Sequence, residues 1–202
     1  MSQPCDKQAD VPLPGELDSE LNEFWVGNPF EIFRENNLSS FERNRSYLNV
    51  DGQGFLDVSF ISKTDTDSDS RSVLALDIRK RGQLDLVLRQ AGGGPIKVLE
   101  NRFPFANYLK VSLHGVKSNR LGLGARLTAH VGERQIVREL YPINTYRSQH
   151  PSHVHFGLSD AAKIDRLVID WPSGTTQEFK DVPVNRHLVL KEDSQTIREL
   201  GK

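Results

Sequence analysis

The sequence predicts an all-β protein in two parts, preceded by a short helical arm, and three observations predict it. From Arg45 onward apolar and polar residues alternate with period two, the spacing of strands with one wet face. Clusters of Gly, Pro, Asn and Asp punctuate these runs at the intervals expected of tight turns. The one sustained helical spacing of apolar residues, Leu17, Leu21, Phe24 and Trp25, lies before the alternation begins.

Composition narrows the classes of function. With 202 residues and 37% apolar side chains, the chain can form one large domain or two small ones around a real core. A net charge of −1, with no basic run interleaved with aromatics, argues against nucleic acid as a partner. No apolar run approaches the roughly 20 residues of a membrane span, and the first residues lack the apolar core of a secretion signal. The single cysteine, Cys5, excludes an internal disulfide and reads as a bystander thiol in a polar segment.

Residues 1–40 form the tether and helical arm. They carry eight acidic and two basic side chains, or −6, so the remainder carries +5. Residues 1–15 hold three of the ten prolines and predict an extended tether. The Leu17 stripe then predicts an amphipathic helix, and Asn28-Pro29-Phe30-Glu31 spells an N-cap, a proline at the first helical position and a capping glutamate. Phe24, Trp25, Phe30 and Phe33 read as packing residues that cover a sheet face.

Residues 41–105 predict an antiparallel meander with strands near 47–50, 54–60, 72–78, 84–88 and 96–101. Asp51-Gly52, residues 63–71, Arg81-Gly82 and residues 91–95 supply the turns. Asp65, Asp67 and Asp69 have alternating oxygens that could wrap calcium, but the segment lacks the glycine and distal glutamate of an EF-hand.

Residues 106–192 predict further strands near 108–113, 123–131 and 135–140, with residues 193–202 as a tail. Ser159 is expected to cap one helical turn through Ala161, Ala162 and Lys163. Ile164, Leu167, Ile169 and Trp171 then mark a half-buried strand that reverses at Pro172-Ser173-Gly174 into a partner strand, with Trp171 expected in the core.

The meander resembles the FG-GAP-like (VCBS) repeat of β-propellers, whose calcium loop corresponds here to Asp77-Ile-Arg79-Lys-Arg81-Gly82-Gln-Leu84-Asp85-Leu86. Arginines stand where that resemblance would place two carboxylates, so calcium is not expected in this loop, and Arg79 or Arg81 is expected to pair with Asp77 or Asp85. One blade-like sheet cannot close a propeller, so its edges are expected to be covered by the helical arm, by self-association or by further blades. Asn107-Tyr-Leu, Ser118-Asn-Arg, Gly122-Leu-Gly124-Ala-Arg126, Tyr146-x-Ser148-Gln149, His155-Phe-Gly-Leu158 and Trp171-Pro-Ser-Gly174 together resemble the ordered landmarks of the ASPIC and UnbV domain. That resemblance implies a β-sandwich and a secreted or extracytoplasmic, non-enzymatic role in adhesion or in binding a glycan or protein.

Candidate site residues follow from chemistry and position. Gly122 and Gly124 lack the third glycine and the helix of a dinucleotide site and read as backbone devices. Arg120, Arg126, Tyr146, Arg147 and Gln149 are the expected ligand-binding residues, being polar or aromatic groups on two loops. His150, His153 and His155 are the expected ligands of any transition metal and underlie the enzyme alternative, a metal-dependent hydrolase or lyase. No nucleophile elbow surrounds Ser148, so a triad with His155 is not expected. A third alternative is a capping module or subunit of a larger propeller assembly.

Overall fold

A computed structural model describes residues 43–66, 70–90, 95–143, 145 and 148–201. The predicted helical arm lies outside these residues. Thirteen strands and no helix are found among them, so the described chain is all-β. It divides into two compact units, one comprising Met1–Val73 with Leu88–Leu99 and the other Leu74–Val87 with Glu100–Lys202.

The first unit holds the hairpin of β1 (Tyr47–Asn49) and β2 (Phe55–Asp57). Asp51 and Gly52 turn it with φ of 49° and 75°, and Asn49 accepts a bond from the Gly52 N–H at 2.8 Å, the usual chemistry of a tight Asp-Gly reversal. Ser59 is buried beneath it, and its hydroxyl accepts from the Ser46 N–H at 2.7 Å. β3 (Ser70–Leu76), β4 (Asp85–Gln90) and β5 (Lys97–Leu99) form a separate three-stranded sheet in that order.

The second unit holds residues 74–87, which include the loop between β3 and β4, and a sandwich of two four-stranded sheets. One has the order β11 (Thr176–Pro183), β10 (Lys163–Asp170), β7 (Arg126–Val131), β8 (Arg134–Glu139). The other runs β13 (Ile197–Glu199), β12 (Arg186–Lys191), β6 (Asn107–His114), β9 (Val154–Ser159). All pairings in these two sheets are antiparallel except β12 with β6, which is parallel. The core follows from the alternation: Leu109, Val111 and Leu113 of β6, with Val154, Phe156 and Leu158 of β9, face Leu127, Ala129 and Val131 of β7 and Leu167 and Ile169 of β10. Each of these side chains except that of Ala129 contributes roughly 1.5–3 kcal/mol on leaving water.

There are two local departures from simple alternation. Ile164 and Leu167 are both buried although they are three positions apart, a spacing that strict alternation puts on opposite faces. Their partner strand makes the same phase change between Phe179 and Val182, where Asp181 takes a φ of 51°. The left-handed residue sits within this phase change, where β11 stays paired with β10 on both sides of it. The helical turn expected after Ser159 is absent. Ser159 ends β9 with φ of 54°, the Ala161 N–H donates to the Leu158 carbonyl at 3.1 Å, and β10 begins at Lys163. Only three residues join strands that belong to different sheets, too few for a helix and enough for a tight turn.

The expected reversal at Pro172-Ser173-Gly174 is present, closed by the Gly174 N–H to the Trp171 carbonyl at 2.9 Å, with Gly174 at φ of 86°. Gly122 also serves as a backbone device. Its φ is 66°, and a Cβ there would lie 2.8 Å from the Leu113 Cβ and 3.2 Å from the Trp171 ring.

Candidate functional site

The same alternation that buries one face of the β13-β12-β6-β9 sheet turns a set of polar and aromatic side chains outward. Tyr108, Lys110 and Ser112 of β6 alternate with its core leucines and valine, His155 stands between Val154 and Phe156 of β9, and His187 precedes Leu188 of β12. Register aligns them in a row across three strands, His187 opposite Lys110 and Lys110 opposite His155. His153 stands beside His187 with ring centroids 5.2 Å apart, and His187 Nε2 lies 2.8 Å from the Ser112 hydroxyl.

The loop between β3 and β4 seats itself on this row. Asp77 binds the N–H groups of Arg81 and Gly82 at 2.9 and 2.8 Å and the Lys110 ammonium at 2.8 Å. His155 Nε2 lies 2.8 Å from the Gly82 carbonyl. A carbonyl only accepts, so that nitrogen carries the proton and Nδ1 is left as the lone-pair nitrogen of the neutral ring. The Tyr108 ring stacks on His155 at 5.9 Å and lies against Gly82, where a Cβ would meet it at 2.0 Å. With φ of 83° as well, position 82 has two independent needs for glycine.

These contacts decide the chemistry of the loop that resembles a calcium repeat. Arg81 pairs with the buried Asp85 at 3.3 Å and reaches the Asn101 carbonyl at 2.9 Å, as the sequence predicts, while Arg79 pairs with Glu100. The oxygens of Asp77 and Asp85 are thus occupied by an ammonium, a guanidinium and backbone N–H groups. A dication entering there would have to displace two fixed cations. Millimolar calcium is therefore expected to leave the melting temperature unchanged, and a thermal scan with calcium against chelator checks this; a rise of several degrees would contradict it.

Burial favours the neutral form of three of these histidines, His153, His155 and His187. Burial, reinforced by the charges of His187 and Lys110, lowers the pKa of His153 to about 4. Burial also lowers His155, against the raising effect of its bond to Gly82, and lowers His187 with help from Lys110. Burial alone would raise the pKa of Asp77, but Lys110 and the two N–H donors outweigh it and lower it. At neutral pH the site presents His153 as a weak base and offers hydrogen-bonding imidazoles beside a lysine held by its own carboxylate.

Next to the row is a groove of about 150 Å³, in which His150, His153 and His155 meet Arg138 and Tyr141 over a floor that includes Leu84 and Val154. The His150 N–H donates to the Pro142 carbonyl at 2.8 Å, tying one wall to the other, and Tyr141 is 65% exposed. The sequence therefore placed three histidines that do line one groove. Among the described residues no three His, Cys, Asp or Glu side chains gather in a metal-binding group, and His155 Nε2 already faces Gly82. Ser148 contacts Thr145 through its hydroxyl, not a histidine.

The other candidates fall elsewhere. Gln149 is exposed and adjoins His150 without lining the groove, Arg120 is exposed in the loop after β6, and Arg126 is exposed at the start of β7. Asp65 pairs with Arg43 at 3.5 Å. Tyr146, Arg147, Asp67 and Asp69 lie outside the described residues. Sequence reasoning missed Tyr108, Lys110, Arg138, Tyr141 and His187. The readable signal for the first two was their alternation with Leu109 and Val111 in β6.

A comparison with curated proteins finds no significant match. Residues 115–197, from the turn after β6 to the first residue of β13, match the family model described as ASPIC and UnbV, which supports assigning this part of the chain to that domain family.

Proposed function

We propose that the chain is a non-catalytic, extracytoplasmic recognition module whose ligand, a glycan, occupies the groove between Tyr141 and the histidines. One observation carries this reading: a groove joins an exposed aromatic ring to His153 and His155, whose neutral forms burial favours, while Lys110 beside them is locked to Asp77. An aromatic face, two neutral imidazoles and the Arg138 guanidinium as a further donor suit the apolar and hydroxyl faces of a sugar ring. Of the groove histidines, His153 is a poor general base, because burial lowers its pKa to about 4. The extracytoplasmic setting rests on the ASPIC and UnbV match and on the character of that family.

Titration of the full chain against a panel of neutral oligosaccharides by calorimetry tests the proposal. Binding is expected to weaken about tenfold or more in Tyr141→Ala, the equivalent of about 1.4 kcal/mol, with the melting temperature of the variant unchanged. Hydrolysis of an oligosaccharide, or saturable binding that Tyr141→Ala leaves intact, would contradict it.

A further inference from the structure

The outer face of the β13-β12-β6-β9 sheet carries a second hollow, at the C-terminal ends of β6 and β12. Its volume is about 290 Å³, and it is lined by His114, Val189, Lys191, Ser194, Thr196 and Arg198. The strand register builds it. Lys191 is the partner of His114 across the parallel pair, and Val189 is the partner of Arg198 across the antiparallel one, so Lys191 and Arg198 are diagonal neighbours on one face. Ser194 and Thr196 come from the turn that joins β12 to β13.

The lining contains no carboxylate. The acidic residues nearby in sequence are committed elsewhere: Glu192 is buried against the loop after β6, Asp193 pairs with Lys117 at 2.9 Å, and Glu199 pairs with Arg186 at 2.7 Å. Among the described residues, Lys191 and Arg198 form no ion pair. Two unpaired cations on adjacent strands repel, an unfavourable arrangement that an anion between them would reverse. Two hydroxyl groups beside them can donate to or accept from a sugar, and Val189 gives an apolar floor.

We propose that this hollow binds an acidic polysaccharide through its sulfate or carboxylate groups, with Lys191 and Arg198 as the charge partners and Ser194 and Thr196 as the hydrogen-bonding ones. The site is separate from the histidine groove and does not depend on the reading of that groove. The charge is local, since the chain as a whole carries −1 and has no general attraction for polyanions.

Calorimetry of the full chain against a heparin hexasaccharide and a hyaluronan hexasaccharide separates sulfate from carboxylate recognition, with maltohexaose and hexaglutamate as comparisons. At least one acidic hexasaccharide is expected to bind saturably and maltohexaose is expected not to bind at this hollow. Raising the salt from about 0.05 to about 0.3 M is expected to weaken binding, because the cations are exposed to solvent. The double variant Lys191→Gln/Arg198→Gln is expected to lose about tenfold or more in affinity, whereas Arg134→Gln, at an exposed position of β8 in the other sheet, retains it. Should the double variant melt below the parent, each single substitution is read instead and is expected to lose affinity with the melt unchanged. The proposal is overturned if neither acidic hexasaccharide binds, if the substitutions leave affinity intact, or if hexaglutamate binds as tightly, which would make the occupant an acidic peptide.

Discussion

Replacing Trp171 with alanine is expected to destabilise the sandwich by about 3–5 kcal/mol, a large share of the roughly 5–15 kcal/mol that holds a domain folded. The side chain is 3% exposed, and its Nε1–H donates to the Gln177 side-chain Oε1 at 2.9 Å. Gln177 is itself buried and its amide nitrogen donates to the carbonyls of Lys191 and Ser194. The indole therefore connects the β10–β11 turn to the end of β12, while Gly122 leaves the space its ring fills. Alanine opens a cavity and also orphans an acceptor on Gln177. Trp171→Phe keeps most of the volume and is expected to cost less. Circular dichroism melts of the two variants check the order, and an alanine variant within a degree or two of the parent would contradict the packing described.

Glu192 is expected to produce the second large effect, and one that depends on pH. Its carboxylate is 1% exposed and is surrounded by donors: the N–H groups of Val116, Lys117 and Ser118 at 2.6, 2.7 and 2.8 Å, and the hydroxyls of Ser118 and Ser173 at 2.9 and 2.6 Å. Burial pushes the group toward the protonated form, but the bonds from Ser118, Ser173 and Val116 outweigh it and hold the pKa at about 2, against an ordinary value of 4.5. The folded carboxylate thus releases its proton more readily than the unfolded one. Its contribution is complete above pH 4.5 and is lost as the pH falls toward 2, because the unfolded chain takes up the proton first. Glu192→Gln places an amide nitrogen among backbone donors and is expected to lower the melt at pH 7. It also removes this component of the acid dependence. Melts of parent and variant from neutral to acid pH check both expectations; parallel curves would show that the carboxylate contributes nothing specific.

Much of the sandwich was legible because its strands alternate. Ile164, Leu167, Ile169 and Trp171 are all buried, and the turn at Gly174 lies where its sequence predicts. The meander was also readable as strands, although β1 and β2 form a sheet separate from β3, β4 and β5. Ser159-Asp160-Ala161-Ala162 misled because a serine before alanines has the composition of a helix cap, while the true constraint, a crossing between two sheets in three residues, is not local. Non-local pairing also hid most of the site. Asp77 and Lys110 are 33 positions apart, Ser112 and His187 are 75 apart, and the parallel pairing of β12 with β6 that brings His187 to the row has no signature in either strand. Glu192 read as an ordinary acid at the end of a strand, yet it closes a loop 74–76 residues away.

Histidine side-chain spectra of the full chain, recorded with and without the neutral oligosaccharide that binds best, measure the central claim most directly. His153 and His155 line the groove with Tyr141, whereas His130 belongs to β7 of the opposite sheet and contacts Arg166 at 3.0 Å. Recognition at the groove predicts that the His153 and His155 resonances move with saturation while His130 stays fixed and the oligosaccharide is recovered intact. Binding that leaves both groove histidines unmoved, or the appearance of cleaved sugar, would contradict it.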